Sequence, residues 1–115
     1  MPLEEIIKKY EDLKARASAN KLHSSEMKEA TITITNFGMF GGGGQWATPI
    51  INYPEVAILG VARIHKQPVV KNDESMVCEM LHLSWSFDHL VVDGDMAASI
   101  SGHLSKLLQS PAART

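Results

Sequence analysis

The residues best suited to chemistry cluster in one short run. "SWSFDHLVVDGD", Ser84 to Asp95, carries an apolar, strand-like stretch into His89, with Asp88 just before it and Asp93 four residues after. A neutral imidazole near pH 7 can take a proton from a thiol or a hydroxyl. His89 falls where the strand should end, and Gly94 marks a turn before a final helix. The intervening Leu90-Val91-Val92 is apolar, so it should be packed and should hold the imidazole rigidly. Asp93, across a short turn, is placed to fix the loop or to orient a polar partner. On residue types alone two readings stand: a general base at a strand end, or a polar turn with a structural histidine.

The other candidates carry less. Five histidines, His23, His65, His82, His89 and His103, include no pair at H-x-x-x-H spacing, and the lone Cys78 cannot support a zinc site, so no metal is expected. The glycine run 41–44 is followed by Gln45 and Trp46, not by the Gly-Lys-Ser/Thr of a Walker loop. The dinucleotide pattern G-x-G-x-x-G fails at Trp46, which leaves a loop with positive φ angles as the simpler reading. Ser84 and Ser86 lack the G-x-S-x-G elbow and read as polar side chains on one face of a strand.

These residues need elements to position them. Leu3, Ile6, Ile7, Tyr10, Leu13 and Ala17 recur at three and four, the stripe of a one-faced helix. Pro2, Glu4 and Glu5 suit its start, Asn20 suits its end, and 21–29 reads as a loop. Thr31 to Thr35, "TITIT", is a half-buried strand. "NFGMFGGGGQW" is a glycine-rich loop, and Val56 to Ile64 is a strand buried on both faces. Gln67 to Val70 continues it after a break near Pro68, and "KNDES" is a hairpin turn. Val77 to Phe87 reads as one long strand, with Leu81, Leu83, Trp85 and Phe87 on one face and His82, Ser84 and Ser86 on the other. Met96, Ala97, Ile100, Leu104, Leu107 and Leu108 form a second helical stripe that ends before Pro111. The order predicts an α+β fold, a sheet with helices on one side, without repeat or second domain.

The totals agree with such a fold. At 115 residues the chain fits one small domain, and 44% hydrophobic with 21% charged residues is the balance of an ordinary soluble chain. A net charge of −2 gives no reason to expect nucleic acid or an anionic membrane as partner. One cysteine fits a reducing compartment. No apolar run approaches membrane-span length, and the N-terminus is amphipathic rather than signal-like, so a soluble intracellular protein is expected.

"SFDHLVVDG" resembles the D-H-x-x-x-D-G motif near the C-terminus of dihydrolipoamide acyltransferases, the core subunits of 2-oxoacid dehydrogenase complexes. "TITITNFGMFGGG" resembles the strand and glycine loop upstream in the same domain, and "ATPIINYPEVAILGVARIHKQPV" resembles the segment between. The three stand in the family's order over roughly residues 4–110. The resemblance implies acyl transfer between dihydrolipoamide and coenzyme A. His89 would be the general base, Thr35 the hydroxyl that meets the oxyanion, and Asp93 the aspartate that supports the site's geometry. Thr35, Asn36 and the backbone around Ala62 to Ile64 would border the coenzyme. It implies a fold similar to chloramphenicol acetyltransferase, a trimer whose active sites lie between subunits, with the histidine of one facing its neighbour.

Three departures stand out. Leu90 replaces the arginine that usually follows the histidine, the glycine loop is a residue or two longer, and the chain matches only the C-terminal half of the family's catalytic domain. The resemblance thus implies a partial domain over 1–110, a flexible tail over 111–115, and self-association as a trimer or larger. Dehydrogenase-complex subunits are further expected partners, in the cytoplasm or in a mitochondrial matrix. The alternative is a non-catalytic truncated paralogue or assembly fragment of the same family. Condensation domains carry two adjacent histidines, and Asp88 before His89 favours the lipoamide branch.

Overall fold

The computed structural model describes residues 1–38 and 47–110. The expected glycine run 41–44 and the tail 111–115 lie outside them. Residues 1–30 with those from 99 onward form one compact unit, and residues 31–98 form another.

Helix α1 spans Leu3–Ser18, as its stripe predicts. The Pro2 carbonyl accepts from the amides of Glu5 and Ile6 and starts it. Asn20, at φ 55°, stops it: its amide donates to Ala17 and that of Lys21 to Arg16, a Schellman ending that uses the last free carbonyls. The 21–29 segment is not wholly loop, because Ser24–Met27 makes a 3-10 turn. There the Glu26 carboxylate accepts from the His23 amide at 2.8 Å and pairs with Arg16 at 2.7 Å.

The second unit holds strands β1 (Ile32–Asn36), β2 (Ala57–Val61), β3 (His65–Lys71), β4 (Glu74–Met80) and β5 (Leu83–Phe87). One sheet has the order β1-β2-β5; β3 and β4 form a separate two-stranded sheet. β1 runs parallel to β2 and β2 antiparallel to β5, so the α+β class with mixed pairing is what forms. The apolar run of β2 is central, and Ala57, Ile58 and Leu59 are buried along with Ala62 and Val92. Gly60 admits the Phe37 ring, because a Cβ there would lie 2.9 Å from Phe37 Cε1.

Two expectations change. The long strand over Val77–Phe87 is broken between Met80 and Leu83, where the chain passes from one sheet to the other. The segment between β2 and β3 makes the same passage beside it, and the Ala62 amide donates to the His82 carbonyl at 3.1 Å. For the same reason β3 does not extend β2 but starts a hairpin of its own. Pro68 sits inside β3 opposite Val77, tolerable because neither strand of a two-stranded sheet is central. The turn Asn72-Asp73 has φ of 50° and 62°, the two positive angles a tight hairpin needs.

Helix α2 covers Gly94–Gln109, so Gly94 is the first residue of the helix rather than the turn before it.

Candidate functional site

The path from β5 into α2 builds the surroundings of His89. The Asp88 amide donates to the Val56 carbonyl at 2.8 Å and extends the β2–β5 ladder one step beyond Ala57 and Phe87. The chain then turns at 89–91. Its apolar residues do not pack: Leu90 is 96% exposed and Val91 60%, and only Val92, at 6%, is buried. The expected anchoring of the imidazole by apolar neighbours is therefore corrected. Hydrogen bonds hold the turn instead: the Leu90 amide donates to Asp88 Oδ1 at 3.0 Å, and the amides of Val91 and Val92 donate to the Asp88 carbonyl. His89 itself is exposed, and among the described residues no hydrogen bond occupies its ring.

Asp93 does not reach back to His89 in a hydrogen bond. Its Oδ1 accepts from the Met96 amide at 2.9 Å, which makes it the N-cap of α2. It thereby fixes where the turn ends and the helix begins.

Thr35 lies in β1 opposite Gly60, which in turn faces Ser84 in β5. That is three residue steps from the end of the sheet where Phe87 leads to His89, about 10 Å along the strands. Within one chain, His89 and Thr35 thus stand toward opposite ends of the same sheet. Thr35 is half-buried on the face it shares with Thr33, while Ile32 and Ile34 occupy the exposed face.

At the Thr35 end, Asn36 Oδ1 accepts from the Gly38 amide at 3.0 Å and Arg63 Nε donates to the Gly38 carbonyl at 2.8 Å. These contacts frame a cavity of about 320 Å³ lined by Asn36, Gly38, Val61, Ala62, Arg63, Ile64 and Leu81. It brings together Asn36, Ala62 and Ile64, three of the four residues expected to border a coenzyme, while Thr35 is next door. The largely apolar lining, with polar Asn36 and Arg63 in it, suits a ligand that is apolar along its length and polar in places.

Arg63, within the Ala62 to Ile64 stretch expected beside the coenzyme, lines the cavity. One residue of this region escaped the sequence reading. Glu55, only 7% exposed, accepts from Thr33 Oγ1 at 2.6 Å and ties the approach to β2 onto β1. An acid leading into an all-apolar strand was the available signal, because a buried carboxylate requires a partner. Among the described residues no group of three or more His, Cys, Asp or Glu side chains is placed to hold a metal. No described helix is long and apolar enough to cross a membrane.

Residues 1–114 match the 2-oxoacid dehydrogenases acyltransferase (catalytic domain) family. The chain belongs to that family. A Staphylococcus epidermidis relative, the dihydrolipoyllysine-residue acetyltransferase component of pyruvate dehydrogenase complex, is 47% identical over 107 residues. The match covers 93% of this chain and 24% of that relative. Among solved acyltransferases, Azotobacter vinelandii dihydrolipoamide acetyltransferase superposes with a TM-score of 0.88 at 38% identity, over 98% of this chain and 46% of the other. That structure addresses the role of a serine, a histidine and an asparagine in the catalytic mechanism. The cubic core of the pyruvate dehydrogenase multienzyme complex superposes equally, with a TM-score of 0.88 at 37% identity, over 98% of this chain and 46% of that one. This acyltransferase-family chain thus spans under half of the solved chains and about a quarter of the curated relative.

Proposed function

We propose that the chain moves an acyl group between dihydrolipoamide and coenzyme A, with His89 as general base. The observation that carries this is the exposed, unoccupied imidazole on a hydrogen-bonded turn, four residues ahead of Asp93. In the A. vinelandii acetyltransferase the histidine and asparagine under study are also four residues apart. Aspartate and asparagine cap a helix about equally well, so Asp93 preserves that geometry.

A thiol with pKa about 8.5 is mostly protonated at neutral pH. His89 takes the proton from the attacking thiol, and the sulfur forms a bond to the thioester carbonyl carbon. The carbonyl oxygen becomes an oxyanion, to which the Thr35 hydroxyl donates. Collapse breaks the original carbon–sulfur bond, and the departing thiolate recovers the proton from the imidazolium. The pantetheine arm of the coenzyme runs along Asn36, Ala62 and Ile64. In this reading the site is shared, with His89 of one copy meeting Thr35 of another, which is supported by the separation of the two along one sheet. Self-association is therefore part of the function, as a trimer or larger, in line with a relative that forms a cubic core. Other subunits of a 2-oxoacid dehydrogenase complex complete the set of partners, in the cytoplasm or a mitochondrial matrix.

Transfer from acetyl-coenzyme A to free dihydrolipoamide should fall by at least about a hundredfold in His89→Ala, the usual scale for loss of a general base. Equal rates above background in the two proteins exclude His89 as the base. Leu90, where the family usually has arginine, favours a second reading, a non-catalytic assembly fragment. Wild-type chain that associates in sedimentation but transfers no acyl group supports it.

A further inference from the structure

We infer that Asp88 is the positioning residue for His89, a role that rests on the reading of His89 as base. The three amides that follow His89 all donate to this one residue: Leu90 to its carboxylate at 3.0 Å, Val91 to its carbonyl at 3.0 Å and Val92 to its carbonyl at 2.9 Å. Its own amide is fastened to the Val56 carbonyl at 2.8 Å, one step past the end of the sheet. The peptide units on either side of His89 are thereby closed into a ring anchored to β2. Among the described residues no other hydrogen bond holds the turn at 89–91, and Leu90 and Val91 are exposed.

The carboxylate bond differs in kind from the others. The two carbonyl bonds survive any substitution at residue 88, whereas the bond to the Leu90 amide needs a side-chain acceptor. It spans His89 directly, from residue i to i+2, the form in which Asp and Asn close a turn onto their own backbone. A general base works only when its nitrogen stands within hydrogen-bond reach of the proton, and small misplacements cost rate steeply. The side chain of Asp88 thus controls the time that His89 spends in the productive position, without touching substrate.

Asp88→Ala and Asp88→Asn, compared with wild type in acetyl transfer to dihydrolipoamide, test this. Asp88→Ala should lower kcat about tenfold, the scale of one charge-assisted hydrogen bond, with KM for both substrates within about twofold. Asp88→Asn, whose amide oxygen still accepts from Leu90, should recover most of the rate. Wild-type kcat in Asp88→Ala overturns the inference. So does a loss in Asp88→Asn as deep as in Asp88→Ala. Hydrogen exchange at the Leu90 amide and the NMR relaxation of the His89 ring provide a readout independent of turnover. Faster exchange and a looser ring in Asp88→Ala alone support positioning, and unchanged signals overturn it. His89→Ala with wild-type activity, or a wild-type chain without any transfer, instead removes the base reading. The Leu90 and His89 signals then decide the role of Asp88 by themselves.

Discussion

A methyl group at residue 38 would lie 2.9 Å from both the Cα and the amide nitrogen of Arg63. Both are backbone atoms, so a side chain cannot be accommodated by rotating something away. Gly38→Ala should therefore destabilise the chain by about 1–3 kcal/mol, the usual cost of forcing extra volume into a filled space. A shift of the urea midpoint with unchanged slope checks it. The same change pushes apart the Gly38–Arg63 wall of the cavity, so coenzyme binding should weaken along with stability. This glycine was legible only as part of a glycine-rich loop; the Arg63 backbone it approaches, between β2 and β3, is 25 residues away in the chain. His89 was easier to single out, because an imidazole between two acids at the end of an apolar run is conspicuous. What holds it was not legible, since the apolar triplet after it suggests packing and the structure uses the Asp88 hydrogen bonds.

At the scale of elements, the end of α1 is a linked electrostatic unit. Arg16 donates to Asp12 Oδ2 from Nε at 3.0 Å and Nη2 at 2.8 Å, and to Glu26 from Nη1 and Nη2 at 2.7 and 2.8 Å. The Arg16 guanidinium, helped by the His23 amide, lowers the Glu26 carboxyl from an ordinary 4.5 to about 2. Glu26 and Asp12 hold Arg16 protonated still more firmly than usual. A carboxyl depressed in the folded state stabilises at pH above its unfolded value, and that contribution is lost as pH falls through the folded value. The docking of the 3-10 turn should thus weaken between about pH 4.5 and about pH 2. An NMR titration should place the Glu26 midpoint near 2, and Arg16→Met should return it toward 4.5. The pair is at the surface, so salt should blunt the effect. Helix ends and the hairpin turn were legible because their signals are local: Asn20 at a positive φ, and Asn72-Asp73 between two strands. The break between β4 and β5 was not. Apolar residues continue at alternate positions through Leu81, Leu83, Trp85 and Phe87, while β5 pairs with β2, distant in sequence, and β4 pairs with β3 in another sheet.

For the whole molecule, the question is what covers the surfaces that this chain leaves open. Among the described residues β1 and β5 are the outer strands of the three-stranded sheet, and an outer strand offers backbone groups for further pairing. Ile32 and Ile34 on β1, and the α1 stripe of Leu3, Ile6, Ile7, Tyr10 and Leu13, are exposed. The periodicity of these residues was legible in the sequence; their exposure was not, because it depends on packing that no pattern within the chain specifies. The proposed sharing of the active site makes association measurable through chemistry. If His89 of one copy works with Thr35 of another, then His89→Ala and Thr35→Ala, each inactive alone, should complement when co-expressed. A productive site needs an intact His89 on one side and an intact Thr35 on the other. In randomly assembled rings, about one quarter of the sites meet both conditions, so the mixture should regain about a quarter of wild-type activity. If both residues served the same site within one chain, every site in the mixture would carry one defect and the activity would stay at the level of the single variants. The expected recovery therefore follows from the position of two residues on one sheet, with Thr35 three residue steps from the end that leads to His89.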